Sequence, residues 1–426
     1  MATQAQAPQA VPVTMMAGNA GLPDGSLYGL PGVTIYSEQK ENNSPTATVL
    51  ATGAQTTALF SANFKQTDVV YAWRMIVNIN QTAVTGSVGS ALSPYFPYNF
   101  LGPIALNMQN QFDTISYLNG FDAILFQALR PQKQQAWIQN YGDQNNVQGF
   151  DTYSPGISQV SAPNPGTAAF VFNSANIFFD VDLLPGIQFD LYYDLEENGM
   201  LLSSKAQGIR TFVSPQMMAG TNRIIQPRVT WDAAGSLTAA DTSPVTYTTL
   251  PTTYTATGTL NFRRKISYQP QSSKDAPLLW NWQYSRQCIR AAIGAQAQVT
   301  IPLPLVGQIL MFYIRLWNPS SGTVGAPIPL ANITECDVQV GSGLFRYQDT
   351  PEDMQSRIWR QHGLQLPDGI LAWDLAIGDD GRVSNKDAIN TLTTSGCQLV
   401  ITFTGAQAAT SYYVLGYEAL RYVALQ

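Results

Sequence analysis

Along most of the chain, apolar residues recur at alternate positions or gather in short runs, the pattern of β-strands. Val69-Val70-Tyr71-Ala72-Trp73-Arg74-Met75-Ile76-Val77-Asn78-Ile79 is rich in aromatic and β-branched residues, and so is Gln308-Ile309-Leu310-Met311-Phe312-Tyr313-Ile314-Arg315-Leu316-Trp317-Asn318. Residues 176–184 and 186–193 read as two strands about a Pro185-Gly186 turn, and 223–231 and 259–268 as further strands. Residues 370–377 run into an Asp380-Gly381 turn, and strands over 398–404 and 411–423 close the chain. Ser/Thr/Gly/Pro stretches at 141–168 and 232–257 read as long loops, of a length that usually carries contacts.

Only two segments carry a helical pattern of any length. The first covers 121–139, with Ile124, Leu125, Ala128 and Leu129 on one face and an interruption at Pro131. The second has Thr350 as N-cap, Pro351 in the first turn, and Glu352 and Asp353 against the positive end of the dipole. Ile358 and Trp359 are apolar, and His362-Gly363 ends it. The two helices sit in matching places. Asn107-Met108-Gln109 through Ile115-Ser116-Tyr117 leads into the first, and Asp337-Val338-Gln339 through Phe345-Arg346-Tyr347 into the second. The shift of about 230 residues marks an internal duplication, and the strands about Trp73 and Tyr313 are spaced similarly. A polar stretch, Pro270-Gln271-Ser272-Ser273-Lys274-Asp275, divides the halves. The expected fold is all-β: two tandem eight-stranded jelly rolls over 47–274 and 275–426, each with one inserted helix. An arm over 1–46, broken at Pro23, Gly25, Gly29, Pro31 and Gly32, precedes them.

Composition narrows the function. The chain has 426 residues and is 45% hydrophobic, enough to bury a core, yet only 12% charged, against about 25% for an average soluble domain. Burying unpaired charge is costly, so a surface poor in charge suits a subunit covered by its neighbours. Net charge is −6, and the 22 basic residues are scattered. Their densest cluster, Arg263-Arg264-Lys265, lies within a strand pattern, which argues against direct nucleic-acid binding. The three cysteines, Cys288, Cys336 and Cys397, are far apart and read as buried free thiols. Residues 1–12 lack the pattern of a secretory leader, and no segment reaches the ~18 apolar residues of a membrane helix.

Candidate chemistry is sparse. A Ser-His-Asp or Cys-His system needs a histidine, and the only one, His362, falls at a helix C-terminus, where it complements the dipole. One histidine and three dispersed cysteines do not compose a metal site. Asp194, Glu196 and Glu197 before Asn198-Gly199 read as a solvated turn rather than the opposed acids of a glycosidase. Asp379-Asp380-Gly381 lacks the spacing of a calcium loop, and Gly341-Ser342-Gly343 lacks the lysine of a phosphate loop. The sequons at Asn42, Asn80 and Asn332 are short enough to arise by chance. The expectation is therefore no catalytic, cofactor-binding or metal residue, and no cofactor. Aromatics along the strands read as core or subunit anchors.

Three segments, taken in order, point to a family: Phe100-Leu101-Gly102-Pro103-Ile104-Ala105-Leu106-Asn107; the helix over 351–361 with Leu366-Pro367-Asp368-Gly369-Ile370-Leu371 and Asp374; and Tyr412-Tyr413-Val414-Leu415-Gly416-Tyr417-Glu418-Ala419-Leu420-Arg421. With the duplication over most of 46–426, the chain resembles the double jelly-roll major capsid proteins of tectivirus-like bacteriophages, which are icosahedral double-stranded DNA phages with an internal membrane. The resemblance implies a structural protein, not an enzyme, forming homotrimers whose six jelly rolls make a pseudo-hexameric capsomer. It further implies that these tile an icosahedral virion shell over the membrane after assembly in the host cytoplasm. The arm over 1–46 would lie toward the membrane. The expected partners are copies of the chain, the membrane, and minor capsid and penton proteins, without direct nucleic-acid contact. The competing readings are a phage spike or carbohydrate-binding β-sandwich adhesin, and a jelly-roll enzyme with paired acids at Glu196 and Glu197.

Overall fold

The computed structural model describes residues 35–40, 48–50, 56–59, 68–85, 88–95, 98–108, 113–129, 176–185, 188–191, 209–212, 217–218, 225–231, 235–236, 241–249, 252–268, 282–321, 325–341, 344–377, 387–394 and 396–422. The first half contributes β1 (Ile35–Lys40), β2 (Thr48–Leu50), β3 (Thr56–Leu59), β4 (Asp68–Thr85), β5 (Val88–Leu92), β6 (Leu101–Met108), β7 (Asp113–Tyr117), helix α1 (Gly120–Ala128), β8 (Asn176–Pro185), β9 (Gln188–Leu191), β10 (Ile209–Phe212), β11 (Met217–Met218), β12 (Ile225–Trp231), β13 (Gly235–Ser236), β14 (Val245–Thr249) and β15 (Thr253–Tyr268). The second contributes β16 (Trp282–Ala292), β17 (Gln298–Pro302), β18 (Gln308–Asn318), β19 (Ala326–Pro327), β20 (Ile333–Val340), β21 (Leu344–Tyr347), helix α2 (Pro351–His362), β22 (Ile370–Asp374), β23 (Ile389–Asn390), β24 (Gln398–Phe403) and β25 (Tyr412–Tyr422).

One connectivity occurs twice. In the first half β1 and β2 pair with β15, β15 with β4, and β4 with β8, while β3 pairs with β12, β12 with β6, and β6 with β7. In the second half β16 pairs with β25, β25 with β18, and β18 with β22, while β17 pairs with β24, β24 with β20, and β20 with β21. All these pairings are antiparallel. Each half is thus two antiparallel sheets linked by Greek-key crossings, the jelly-roll arrangement. The helix falls between the same two strands in each, between β7 and β8 and between β21 and β22. The two halves are stitched together by one parallel pairing, β7 to β16, with Ile115 opposite Arg286 and Ser116 opposite Gln287. One sheet of each half thereby joins into a ten-stranded sheet, and the buried apolar residues of both halves form a single contiguous core.

Local chemistry explains the element ends. Asn119 caps α1, its side chain accepting from the Asp122 amide. Thr350 and Asp353 close a reciprocal capping box at α2, and Gly363, with φ of 65°, ends that helix in the left-handed region. The pattern over 121–139 gives a helix only to Ala128, two residues before the position preceding Pro131, where a proline disfavours helical backbone. Residues 130–139 lie outside the described residues, as do 141–168.

The stretch 232–257 differs from the loop expectation: β13, β14 and the start of β15 fall within it. Its threonines, read as loop residues, are β-branched and pair well in a pleated ladder, with Val245 opposite Leu92 and Thr246 opposite Ala91. Residues 35–40, within the expected arm, form β1 against the edge of β15, and 1–34 lie outside the described residues. So does the segment 269–281, which contains the expected division at 274/275.

Candidate functional site

The two equivalent strands β4 and β18 reveal where the molecule concentrates its unusual chemistry. In β4, Trp73, Met75, Val77 and Ile79 are fully buried while Arg74, Ile76 and Asn78 between them are only half-buried. That is a strand with one face on a core. In β18 every residue from Ile309 to Trp317 is buried. Its inner face packs in its own jelly roll, with Phe312 stacked on Trp373 at 5.1 Å. Its outer face is covered by α1 of the other half.

The joint is built on α1. All nine residues of this helix are buried. Asp122, at its third position, is fully buried and accepts a forked pair of bonds from Arg315 on β18, Nε to Oδ1 at 3.1 Å and Nη2 to Oδ2 at 3.3 Å. Tyr313 Oη adds a third at 3.2 Å. Two ionised groups in a dry site survive only when paired and hydrogen-bonded, and the planar guanidinium fork meets both carboxylate oxygens. Burial alone lowers the Arg315 pKa, but the Asp122 carboxylate beside it carries the net shift well upward. A second buried pair lies alongside: Arg286 Nε on β16 donates to Glu418 Oε2 on β25 at 2.8 Å, both side chains fully buried. A third stands nearer the rim. Tyr412 Oη donates to Asp241, Arg290 lies 3.6 Å from the same carboxylate, and Asn119 donates to the Asp241 backbone oxygen at 3.3 Å.

Aromatic rings fill the space between these charges. Tyr95 stacks on Phe121 at 4.4 Å and meets Trp317 at 5.5 Å, Phe126 meets Tyr313 edge-on at 5.0 Å, and the Arg286 guanidinium lies over Phe126 at 5.2 Å. Burial pushes Tyr95 up to about 12, the neighbouring Arg315 offsetting part of the rise. Burial does the same to Tyr117, again to about 12. It also raises the Cys288 thiol, whose sulfur lies 3.3 Å from Tyr313 Oη. The tyrosines, the thiol and the two inner ion pairs are all buried, held among apolar rings rather than lining an open cleft. What the arrangement does is hold two jelly rolls in one orientation.

The sequence reading did not single out Asp122, Arg286, Arg315 or Glu418 as a group. Their signal was lone charges inside otherwise apolar elements. Among the residues it did weigh, Cys288, Cys336 and Cys397 are buried free thiols. His362 is buried at the end of α2 with Nε2 3.3 Å from Asp374 Oδ2, so it serves the second core as well as the helix terminus. Asn80 lies in β4 and Asn332 just before β20. Asp194, Glu196, Glu197, Asn42 and Asp379 to Gly381 lie outside the described residues, as do Ser342 and Gly343. Among the described residues no group of three or more His, Cys, Asp or Glu could hold a metal ion, and no helix is long and apolar enough to cross a membrane.

No protein-family model matches the chain, and neither does any curated protein sequence. Solved structures do. The major capsid protein of Sulfolobus turreted icosahedral virus aligns over 91% of this chain and 97% of its own, at 12% identity and a TM-score of 0.50. In the atomic structure of that whole virus the figures are 91%, 91%, 10% and 0.52. The PBCV-1 virus capsid aligns over 91% of this chain and 94% of its own, at 10% identity and a TM-score of 0.50. At such identities the likeness speaks to the fold alone, and it agrees with the strand order: the chain is a double jelly roll.

Proposed function

We propose that this chain is a structural major capsid protein, forming pseudo-hexameric homotrimers that tile an icosahedral virion shell. The observation that carries the reading is the length of the structural likeness. It runs over 91% of this chain and nearly the whole of the viral capsid proteins it matches, so both jelly rolls and their joint take part. Physically, two jelly rolls side by side give a trimer near-sixfold sides, so identical chains tile a flat face. The buried joint suits this role, because a tile must keep its angle. On this reading the protein is not an enzyme and carries no catalytic, cofactor or metal site. Its partners are copies of itself, an internal viral membrane, and minor capsid and penton proteins. Its place is the capsid shell, after assembly in the host cytoplasm.

The test is oligomeric state and shape. Light scattering on the purified chain is expected to give three times the monomer mass, and electron microscopy to show particles with near-sixfold outlines. A monomer at micromolar concentration overturns the reading. Truncation refines it. Removing 1–34 leaves β1 on its sheet and is expected to keep the trimer while impairing shell closure. Removing 1–46 also strips β1 from β15 and is expected to weaken the first jelly roll itself.

A further inference from the structure

The two ends of the second jelly roll differ in what they expose. At one end the ladders bring together the turn between β17 and β18, the turn after β23 and the start of β21. Gln308 stands there opposite Asn390, Gln398 opposite both Pro302 and Gln339, and Val340 opposite Leu344. Thr391 ties two of these turns: its hydroxyl accepts from the Val306 amide at 3.1 Å and donates to the Gly307 carbonyl at 3.0 Å. Each of the three places holds a leucine out from the core, Leu305 at 73%, Leu344 at 71% and Leu392 at 57% exposed. Residues 303–307 and 390–394 carry no charge. At the opposite end, 294–297 and 404–410 read Gly-Ala-Gln-Ala and Thr-Gly-Ala-Gln-Ala-Ala-Thr, without a large apolar side chain. Singly exposed leucines are ordinary, but three gathered at one end of one domain mark a contact surface.

We infer that residues 1–34 dock on this end of the second jelly roll of their own chain and cover Leu305, Leu344 and Leu392. The place where this segment joins the fold selects it as the occupant. Ile35, the first residue of β1, stands opposite Tyr268, the last of β15. Residues 269–281 lead from there to Trp282, the first of β16. Trp282 pairs with Tyr422, and Leu420 on the same strand pairs with Gln308 beside Asn390, at the leucine end. Because β7 and β16 run parallel, the corresponding ends of the two jelly rolls point the same way. The segment therefore enters on the side that bears the leucines. Its reach suffices: Leu22 precedes Ile35 by thirteen residues, up to about 45 Å of extended chain, against roughly 20 Å for the width of four paired strands. Its composition fits as well. Residues 1–34 hold one charged side chain, Asp24, and offer Leu22, Leu27, Tyr28 and Leu30. Joining two surfaces this poor in charge strips water from almost no ionised group.

Hydrogen exchange on the full chain and on the chain lacking 1–34 tests this. Removing the segment is expected to speed exchange over 303–307 and 390–394 by about 10-fold or more, the scale of one buried leucine side chain, and to leave 294–297 and 404–410 unchanged. Leu305→Ser with Leu392→Ser, both at exposed positions, is expected to give the fast exchange with the segment present, at unchanged circular dichroism. Leu22→Cys with Leu305→Cys, oxidised in dilute solution, is expected to form a disulfide within one chain. Exchange that does not respond to removal of 1–34 overturns the inference, and slowing of that exchange by phosphatidylcholine vesicles would then assign the leucines to lipid. Disulfides found only between chains overturn it as well. The inference does not depend on the capsid reading: a monomer that shows these changes keeps it and overturns that reading, and a trimer that lacks them does the reverse.

Discussion

The two helices occupy one place in two copies of one fold, yet they have diverged in opposite directions. α1, Gly-Phe-Asp-Ala-Ile-Leu-Phe-Gln-Ala, is buried on every side. α2, Pro-Glu-Asp-Met-Gln-Ser-Arg-Ile-Trp-Arg-Gln-His, buries one face and exposes the other. The difference follows from what lies outside each. Beyond α1 is the second jelly roll, so its outer residues must be apolar or paired. Beyond α2 the chain supplies nothing among the described residues, and charges there stay hydrated. The aspartate at the third position shows this most sharply. In α1 it is locked to Arg315 and Tyr313, and in α2 it only completes a capping box with Thr350, whose amide and hydroxyl hold the exposed Asp353 carboxyl below its usual range. The same place in the fold holds a strut in one half and a cap in the other.

Replacing each aspartate in turn measures that divergence, and it is expected to give the largest effect. Asp122→Ala strands the Arg315 guanidinium in a dry site and is expected to destabilise by about 3–5 kcal/mol, the range for breaking a buried pair from one side. Asp353→Ala removes only an exposed cap interaction and is expected to shift stability far less. Urea midpoints of the two variants provide the comparison. Equal losses would show that Asp122 is not the strut. Asp122→Leu with Arg315→Met, which replaces the pair by apolar groups of similar length, is expected to recover most of the loss, since a buried ion pair contributes orientation more than stability.

The divergence also explains what the sequence made legible. Strands β4, β18, β24 and β25 and the punctuation of α2 were readable because local pattern and final environment agree there. The Thr350 cap, Pro351 and Gly363 specify a helix whatever surrounds it. The offset of about 230 residues was readable too: β6 to β20 and β7 to β21 realise it as the same hairpin leading into the same helix. The joint was not readable. Asp122 four residues before Phe126, and Arg315 amid Tyr313 and Trp317, look like isolated charges until topology places β18 beneath α1, 191 to 193 positions away in sequence. The composition of β14 misled for the opposite reason: threonines that fit a loop also fit a strand, and pairing with β5 decided between them.

Alkali is expected to separate the joint from the outward faces next. Tyr95, Tyr117 and Tyr417 are all buried and all raised to about 12, chiefly by burial, whereas the unfolded chain titrates near 10. A phenol whose folded value lies above its unfolded one holds its proton longer in the native state. Its contribution is fully present below pH ~10 and is lost as the pH rises toward 12, by up to about 3 kcal/mol for each group. Stability is thus expected to be flat through neutral pH and to fall steeply above ~10. Tyrosinate absorbance from these rings is expected to rise together with loss of structure, not ahead of it. Early, reversible titration of Tyr95 and Tyr117 without unfolding would mean that water reaches the joint, and that α1 is covered no better than α2.

The smallest effect probes how closely the joint is fitted. Gly416 on β25 lies opposite Tyr313 in the ladder, and a Cβ placed there would collide with the hydroxyl-bearing edge of the Tyr313 ring, 2.2 Å from Cζ. The ring has little room to swing aside, being held by its bond to Asp122 and by the edge of Phe126. Gly416→Ala is therefore expected to cost about 1–3 kcal/mol, the range for overpacking a filled core. Gly405, in the same jelly roll but with open space where its Cβ would stand, provides the reference, and Gly405→Ala is expected to stay within about 0.5 kcal/mol of wild type. The informative quantity is the coupling between Gly416→Ala and Asp122→Ala. Once Asp122 is gone, Tyr313 loses the bond that fixes its ring and can yield to the added methyl. The double variant is then expected to be less destabilised than the two single changes predict together, by about 0.5–3 kcal/mol. Strict additivity would mean that the charge pair and the ring packing hold the two jelly rolls independently.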